Sequence, residues 1–158
     1  MKKKLIWMLA GCLALFAGLQ LFNPPRANPP VKQDFLATVH PPAPVASAIR
    51  AACYDCHSHE TVWPLYARIA PASWLIASDV NEGRKHLNFS EWPAEPAHAA
   101  KNLDRLNEVV DYREMPPKKY TLLHPEARLT DVQRQAILDW TGAAADKLRA
   151  TTNANASL

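Results

Sequence analysis

Two cysteines and a histidine fall within one short segment, Cys53-Tyr54-Asp55-Cys56-His57, and their spacing constrains the fold more than any other feature of the chain. On a helix the three side chains would lie within about one turn of each other. This C-x-x-C-H pattern is that of c-type haem attachment, in which both thiols bond the porphyrin and the histidine binds the iron. We therefore expect one covalently attached haem c on Cys53 and Cys56, with His57 as the first axial iron ligand.

Three other interpretations of this segment were weighed. A thioredoxin-like redox pair would need a βαβ pattern, which the sequence lacks. Half of a zinc site would need a second pair of ligands, whereas the only other cysteine is Cys12. A simple disulfide between Cys53 and Cys56 is the third alternative, in an oxidising compartment. We favour haem attachment over all three.

The second axial ligand is expected to be Met115. Met1 and Met8 belong to the N-terminal apolar segment, so Met115 is the only methionine in the rest of the chain. It precedes Pro116 and Pro117, which lack backbone donors and stiffen a loop that could hold a weak thioether ligand. The alternative is an ordinary core methionine. Three histidines remain competitors for the iron: His86, His98 and His124.

The N-terminus has the form of an export signal. Lys2, Lys3 and Lys4 precede an uncharged, largely apolar run from Leu5 to Phe22. This run reaches the lower limit for crossing a bilayer core of about 30 Å, so residues 1–22 are predicted to form a signal anchor. The basic flank favours a cytoplasmic N-terminus, which would attach the domain to the inner membrane on its periplasmic side.

A lipidated cysteine is the alternative anchor. Leu9, Ala10, Gly11 and Cys12 have the form of a lipobox, in which Cys12 would carry the lipid after cleavage. An apolar stretch continues beyond Cys12, which favours the helical anchor instead. In both cases the domain is expected to be held at a membrane.

The charge balance limits the possible partners. The chain has 18 basic and 15 acidic residues, and Lys2 to Lys4 account for the whole excess. The exported domain is therefore near neutral, without the basic face that nucleic acid requires. We expect redox partner proteins, including membrane respiratory components, and the membrane itself as partners, and no nucleic acid.

The composition predicts a single all-α domain. Residues 23–44 hold seven of the fourteen prolines and are predicted to form an extended tether. The haem-binding domain is expected to span residues 45–150, and residues 151–158 are expected to be a disordered tail. Only four glycines and no two-residue alternation argue against strands.

Four helices are predicted in this domain. Ser73–Val80 form one, with Gly83 as a possible stop, and another must end before Pro116. Thr130 and Gln133 form a capping box at the start of the last. The remaining signals are apolar residues at helical spacing: Val45, Ile49 and Ala52; Leu103, Leu106, Val109 and Val110; and Val132, Ala136, Trp140 and Ala144.

Several longer segments carry a resemblance to a known family: Asn28-Pro29-Pro30, residues 53–92 (CYDCHSHETVWPLYARIAPASWLIASDVNEGRKHLNFSEW), 113–120 (REMPPKKY) and 123–140 (LHPEARLTDVQRQAILDW). Over roughly Leu21 to Trp140 the chain resembles bacterial haem-binding-domain proteins, small membrane-anchored relatives of monohaem cytochromes c. One difference is His59, at a position where we expect a residue such as asparagine.

The resemblance implies a cytochrome c-like helical fold around one covalent haem, preceded by the membrane helix. It implies haem c on Cys53, Cys56 and His57, with Met115 as the distal ligand at the family's Met-Pro-Pro position. With His/Met ligation the expected function is one-electron transfer rather than catalysis. A haem enzyme or gas-binding sensor with an open or displaceable distal site is the alternative. A third possibility is an accessory haem domain that serves one fixed membrane partner.

Overall fold

The computed structural model describes residues 2–156, which form seven α-helices and three short 3₁₀ helices. The 3₁₀ helices are Gln20–Phe22, Leu65–Arg68 and Pro125–Ala127. Over these residues there is no strand, only an isolated bridge between Gln33 and Glu91. The prediction of an all-α fold is confirmed. The helices are α1 Lys2–Leu19, α2 Phe35–Val39, α3 Ala43–His57, α4 Ala72–His86, α5 Pro96–Asp111, α6 Lys118–Leu123 and α7 Asp131–Ala156.

The hydrophobic core lies between α3, α5 and α7 and is closed by a group of aromatic side chains. Ile49, Leu103 and Ile137 are fully buried, one from each of these three helices. Phe35 and Phe89 stack with their ring centroids 4.9 Å apart, and both are fully buried. The predicted apolar stripes of α3 and α5 therefore face the core, as their helical spacing indicated.

The capping box of α7 is confirmed, but its buried face differs from the predicted one. The Gln133 N–H donates to Thr130 Oγ1 over 3.2 Å, and the Thr130 N–H donates to Gln133 Oε1 over 2.9 Å. The side chains of Ile137, Thr141 and Ala145 are fully buried, whereas Val132 is 80% exposed. Ala136, Trp140 and Ala144 of the predicted stripe are half-buried and pack at the edge of the core, so the prediction fails only at Val132. Thr141 was missed because it is polar; its hydroxyl donates to the Ile137 carbonyl over 2.8 Å, which allows its burial.

The predicted tether over residues 23–44 is free of helix only as far as residue 34, and it is not a free spacer, because this segment packs against the domain. Residues 23–34, here called the strap, are free of helix, and the Lys32 and Gln33 N–H groups donate to the Ser90 carbonyl. Asp34 then caps α2 by accepting from the Ala37 N–H at 2.8 Å. Phe35 follows in the core, where burial of its ring contributes about 1.5–3 kcal/mol.

The predicted disordered tail is also wrong for most of its length. The last helix continues to Ala156, so residues 151–156 are helical, and Ser157 and Leu158 lie outside the described residues. Leu148 packs against the core one turn earlier, and the Thr151 and Thr152 hydroxyls donate to carbonyls four residues back. Alanine-rich composition and this anchored turn extend the helix beyond the predicted domain end.

The first helix is different from the rest because its side chains are exposed. Lys2–Phe22 is the one segment among residues 2–156 that is long and apolar enough to cross a membrane or to serve as a signal sequence. None of the residues of α1 is buried against the domain. The prediction of an apolar N-terminal helix is confirmed.

Gly83 does not end α4, as the sequence had suggested, but lies inside it at a close helix contact. A Cβ at this position would lie 2.5 Å from the Cys56 carbonyl oxygen and 3.1 Å from its carbon. No side chain could fit there without moving the backbone of α3. Glycine therefore sets how closely α4 approaches the end of α3.

The Gly83→Ala variant should be less stable than the wild type. Overpacking costs about 1–3 kcal/mol and outweighs the gain of about 1 kcal/mol in helix propensity. Gly142→Ala is a matched control, since this residue of α7 has no neighbouring atom within 4 Å of the added Cβ. Urea unfolding should show a lower midpoint for Gly83→Ala and an unchanged or higher one for Gly142→Ala. Equal midpoints would contradict the close contact.

Candidate haem-attachment site

Cys53, Cys56 and His57 lie together in the last two turns of α3. Both cysteines are free thiols, Cys53 buried and Cys56 half-buried. Burial raises the pKa of Cys53 to about 12 and that of Cys56 to about 11, so both are neutral thiols at pH 7. A thioredoxin-like redox pair needs a lowered thiol pKa, and this site does the opposite.

The imidazole of His57 is held in one orientation by the backbone that follows α4. Its Nδ1 lies 2.9 Å from the Leu87 carbonyl oxygen, so Nδ1 carries the proton as donor. The Phe89 N–H donates to the His57 carbonyl over 2.7 Å. The ring centroids of His57 and Phe89 lie 6.0 Å apart. Burial lowers the pKa of His57, which favours the neutral ring. Its Nε2 therefore keeps the lone pair that a metal ligand needs.

Asp55, between the two cysteines, links their turn to two other parts of the chain. Its Oδ1 accepts from the Val62 N–H at 2.9 Å, and its Oδ2 accepts from the Tyr120 hydroxyl at 2.7 Å. Its carbonyl accepts from the Thr61 hydroxyl at 2.7 Å. The attachment turn is thus bonded to the following loop and to α6.

Arg84 joins α4 to the strap and to the residues after the motif. Its guanidinium donates to the carbonyls of Ser58 and Ala27 over 2.8 and 2.9 Å. It also donates to the side-chain oxygens of Asn28 and Thr61, each over 3.0 Å. The planar guanidinium has five N–H donors and can therefore bond all four oxygen atoms at once. The ammonium group of a lysine, with three donors, could not.

Met115 lies in a well-anchored loop after α5, half-buried. The N–H groups of Glu114 and Met115 both donate to the Val109 carbonyl, over 3.0 and 3.1 Å. Arg113, with a left-handed φ of 57°, pairs with Asp131 at the start of α7 over 2.8 Å. The loop is therefore fixed at both α5 and α7.

The chain after Met115 returns directly to the attachment motif. Tyr120 in α6 bonds Asp55, and Lys119 pairs with Asp79 of α4 over 2.8 Å. Among residues 2–156, no hydrogen bond joins Met115 itself to His57 or to the cysteines. Met115 is thus brought toward the site through α6, while its role as an iron ligand stays a prediction.

The other histidines have different surroundings. His59 is buried, with Nδ1 3.0 Å from the Pro30 carbonyl and Nε2 3.0 Å from the Asn88 side-chain amide. Both ring nitrogens of His59 are occupied by the protein, which makes its role structural. His124 is similarly engaged, with Nε2 2.6 Å from the Tyr66 hydroxyl. Of the competitors for the iron, His86 and His98 are exposed.

Sequence reasoning missed four residues that position this site. Gly83 was taken for a helix stop, and Asp55 was assigned no role. The Leu87 carbonyl carries no side-chain signal. Arg84 lies in the segment that resembles the family, but its four partners are distant along the chain and become neighbours only in the fold.

The side chains at the end of α3 fit a c-type haem. Two neutral thiols and one oriented, neutral imidazole share the end of a single helix. Among residues 2–156 there is no cluster of three or more His, Cys, Asp or Glu side chains that could hold a bare metal ion. The half-zinc interpretation therefore lacks its second pair of ligands in the described part of the chain.

Residues 14–143 match the haem-binding domain family. The chain belongs to this family. It is therefore a haem protein, with haem and its iron as cofactor, and the resemblance seen in the sequence is confirmed at that level. The chain is also similar to the cytochrome c peroxidase Ccp of Escherichia coli (strain K12), with 30% identity over 92 residues, or 56% of this chain. It spans about a fifth of that relative's length, 20%. No solved structure matches it.

The hydrogen bond from Tyr120 to Asp55 should stabilise the packing of α6 on the haem-binding domain. Burial, together with the Asp55 carboxylate, raises the pKa of Tyr120, which therefore stays a donor. Tyr120→Phe should lower the free energy of unfolding by about 1.5–3 kcal/mol, as expected for a hydrogen bond to a charged group. Tyr112→Phe, at an exposed tyrosine, is the control for urea unfolding. Identical midpoints for both variants would show that the Asp55 bond contributes nothing.

Proposed function

We propose that this haem protein is a monohaem c-type cytochrome that transfers single electrons. Cys53 and Cys56 would hold the haem covalently, and His57 would be its first axial ligand. The observation that carries the proposal is the hydrogen bond between His57 Nδ1 and the Leu87 carbonyl, which leaves Nε2 oriented and unprotonated. When bound, the haem supplies an iron that changes its oxidation state by one electron.

Met115 would supply the second axial ligand. Its loop is anchored to the Val109 carbonyl and to Asp131, so the thioether can be held in place without ordering a flexible segment. Methionine in this position raises the reduction potential of a haem relative to a second histidine. A site with two fixed ligands can pass an electron with little rearrangement and without binding a substrate.

The proposed location is the periplasmic side of the inner membrane, with α1 as the anchor. The three lysines near the start of the chain favour a cytoplasmic N-terminus, and α1 is largely apolar with no buried residue. Redox proteins in or near the same membrane would be the electron donor and acceptor. A lipid on Cys12 would give the same attachment.

A peroxidase-like enzyme is the second candidate function. It is favoured by the similarity to the cytochrome c peroxidase of Escherichia coli, although that similarity covers 20% of the relative. An enzyme of this kind would need a distal position that is open or from which Met115 is readily displaced. The two candidates therefore make opposite predictions about the distal ligand.

Replacement of Met115 tests the distal ligand directly. Met115→Ala should bind CO to the reduced haem and should have a lower reduction potential than the wild type, because the thioether is lost. Met115→His is the matched control, since a nitrogen ligand restores six-coordination and should exclude CO again. If Met115→Ala keeps the spectra and the reduction potential of the wild type, Met115 is not an iron ligand.

Covalent attachment is tested by the cysteines. The double variant Cys53→Ala, Cys56→Ala should lose all haem that stays with the chain after denaturation, because no thioether bond can form. Cys12→Ala should retain it, since Cys12 lies in α1, outside the site. Haem staining of denaturing gels provides the measurement, and retention of covalent haem by the double variant would refute the attachment.

A further inference from the structure

An apolar surface is exposed beside the point where α1 meets the domain. It is formed by the 3₁₀ helix Leu65–Arg68 and the first turn of α4, and we call it the 65–75 face. Soluble domains rarely leave several large apolar side chains exposed together, and such patches mark interaction surfaces. Its large apolar members are Leu65, Ile69, Trp74 and Leu75, which are 75%, 42%, 37% and 68% exposed.

The sequence around this face is unusually poor in charge. From Thr61 to Ser78 the chain carries one charged residue, Arg68, and no acidic residue. The surface elsewhere has many ion pairs, for example Arg149 with Asp104 and Asp146. The 65–75 face therefore lacks the carboxylates that would repel an anionic lipid surface.

Hydrogen bonds fix this face to the end of the apolar helix. The Gln20 side chain accepts from the Ala70 N–H over 2.9 Å and donates to the Ala70 carbonyl over 3.3 Å. The Trp74 indole N–H donates to the Phe22 carbonyl over 3.0 Å. The Ser73 hydroxyl bonds the Asn23 side chain. The face is thus held beside the last residues of Lys2–Phe22 rather than on a free linker.

We propose that the 65–75 face rests in the headgroup and upper acyl region of the bilayer that α1 spans. This inference rests on the anchoring proposed above. A face bonded to the emerging end of a membrane span must lie near the depth at which that span leaves the lipid. Tryptophan and arginine are the residues that favour this interfacial region, the indole by its mixed character and arginine by reaching headgroups. Trp74 and Arg68 supply them here.

The consequence is a haem held at a fixed height above the membrane. The helix α4 begins in the 65–75 face at Ala72 and reaches Cys56 at Gly83. Gly83 lies eleven residues after Ala72 in the same helix, which is roughly 16 Å along the helix axis at about 1.5 Å per residue. The electron partner must then present its own redox centre close to the same membrane surface, instead of being reached by a swinging domain.

Spin-label accessibility in the full-length holoprotein tests this seating. A Cys12→Ala parent, reconstituted in vesicles of phosphatidylcholine and phosphatidylglycerol, would carry one label at Leu65→Cys or at Leu75→Cys. Molecular oxygen concentrates in lipid, whereas a nickel chelate stays in water. Labels on the 65–75 face should show a ratio of oxygen to nickel accessibility several-fold higher than a label at Val132→Cys, an exposed position on α7.

A label at Leu13→Cys in the middle of α1 separates the two proposals. If the label at Leu13 is in lipid while the labels at Leu65 and Leu75 have the same accessibility ratio as the one at Val132, the 65–75 face does not contact the bilayer. The proposal that α1 is the anchor is then still supported. If Leu13 is also in water, the anchor itself fails. If labels on the 65–75 face are shielded from both reagents, protein or haem covers the face, and the membrane is not its occupant.

Discussion

The site depends on how closely α4 approaches the last turns of α3. At Gly83 the backbones of the two helices come so near that even a methyl group would strike the Cys56 carbonyl. That approach sets the position of Leu87, four residues later, whose carbonyl accepts from the His57 ring. A backbone carbonyl orients the imidazole, so this contact needs no hydrogen-bonding side chain at residue 87. A small residue at one helix crossing thus helps to set the tautomer of a histidine on the neighbouring helix.

The strap gives this arrangement its second support. It runs from the end of α1 along the domain. Its Ala27 carbonyl accepts from the charged Arg84 side chain, and its Pro30 carbonyl accepts from the His59 ring. Phe35 then inserts into the aromatic core. A proline-rich segment needs no internal hydrogen bonds, which leaves its carbonyls available to partners. The strap thereby connects the apolar helix α1 to the haem-binding domain through packed contacts.

The sequence predicted the features that depend on local spacing and missed those that depend on packing between distant residues. The helical end that brings Cys53, Cys56 and His57 together, the capping box at Thr130 and the apolar stripe of α5 depend on neighbours within a few residues, and each is where its spacing indicated. The strap failed as a tether because Phe35, one aromatic residue in a proline-rich run, finds its partners Phe89 and Trp92 far along the chain. Gly83 acts through the absence of a side chain and Leu87 through its main-chain carbonyl, so neither role can be predicted from the residue type.

The proposed electron carrier requires that His57 and a second fixed ligand hold one covalent haem. Visible spectra of the full-length protein, oxidised and reduced, with and without CO, test it most directly. An electron carrier with these ligands should show a six-coordinate haem in both states, a methionine-linked charge-transfer band at the red end of the oxidised spectrum, and no change on adding CO. A five-coordinate haem, or one that binds CO, would contradict the electron carrier and favour the peroxidase-like enzyme.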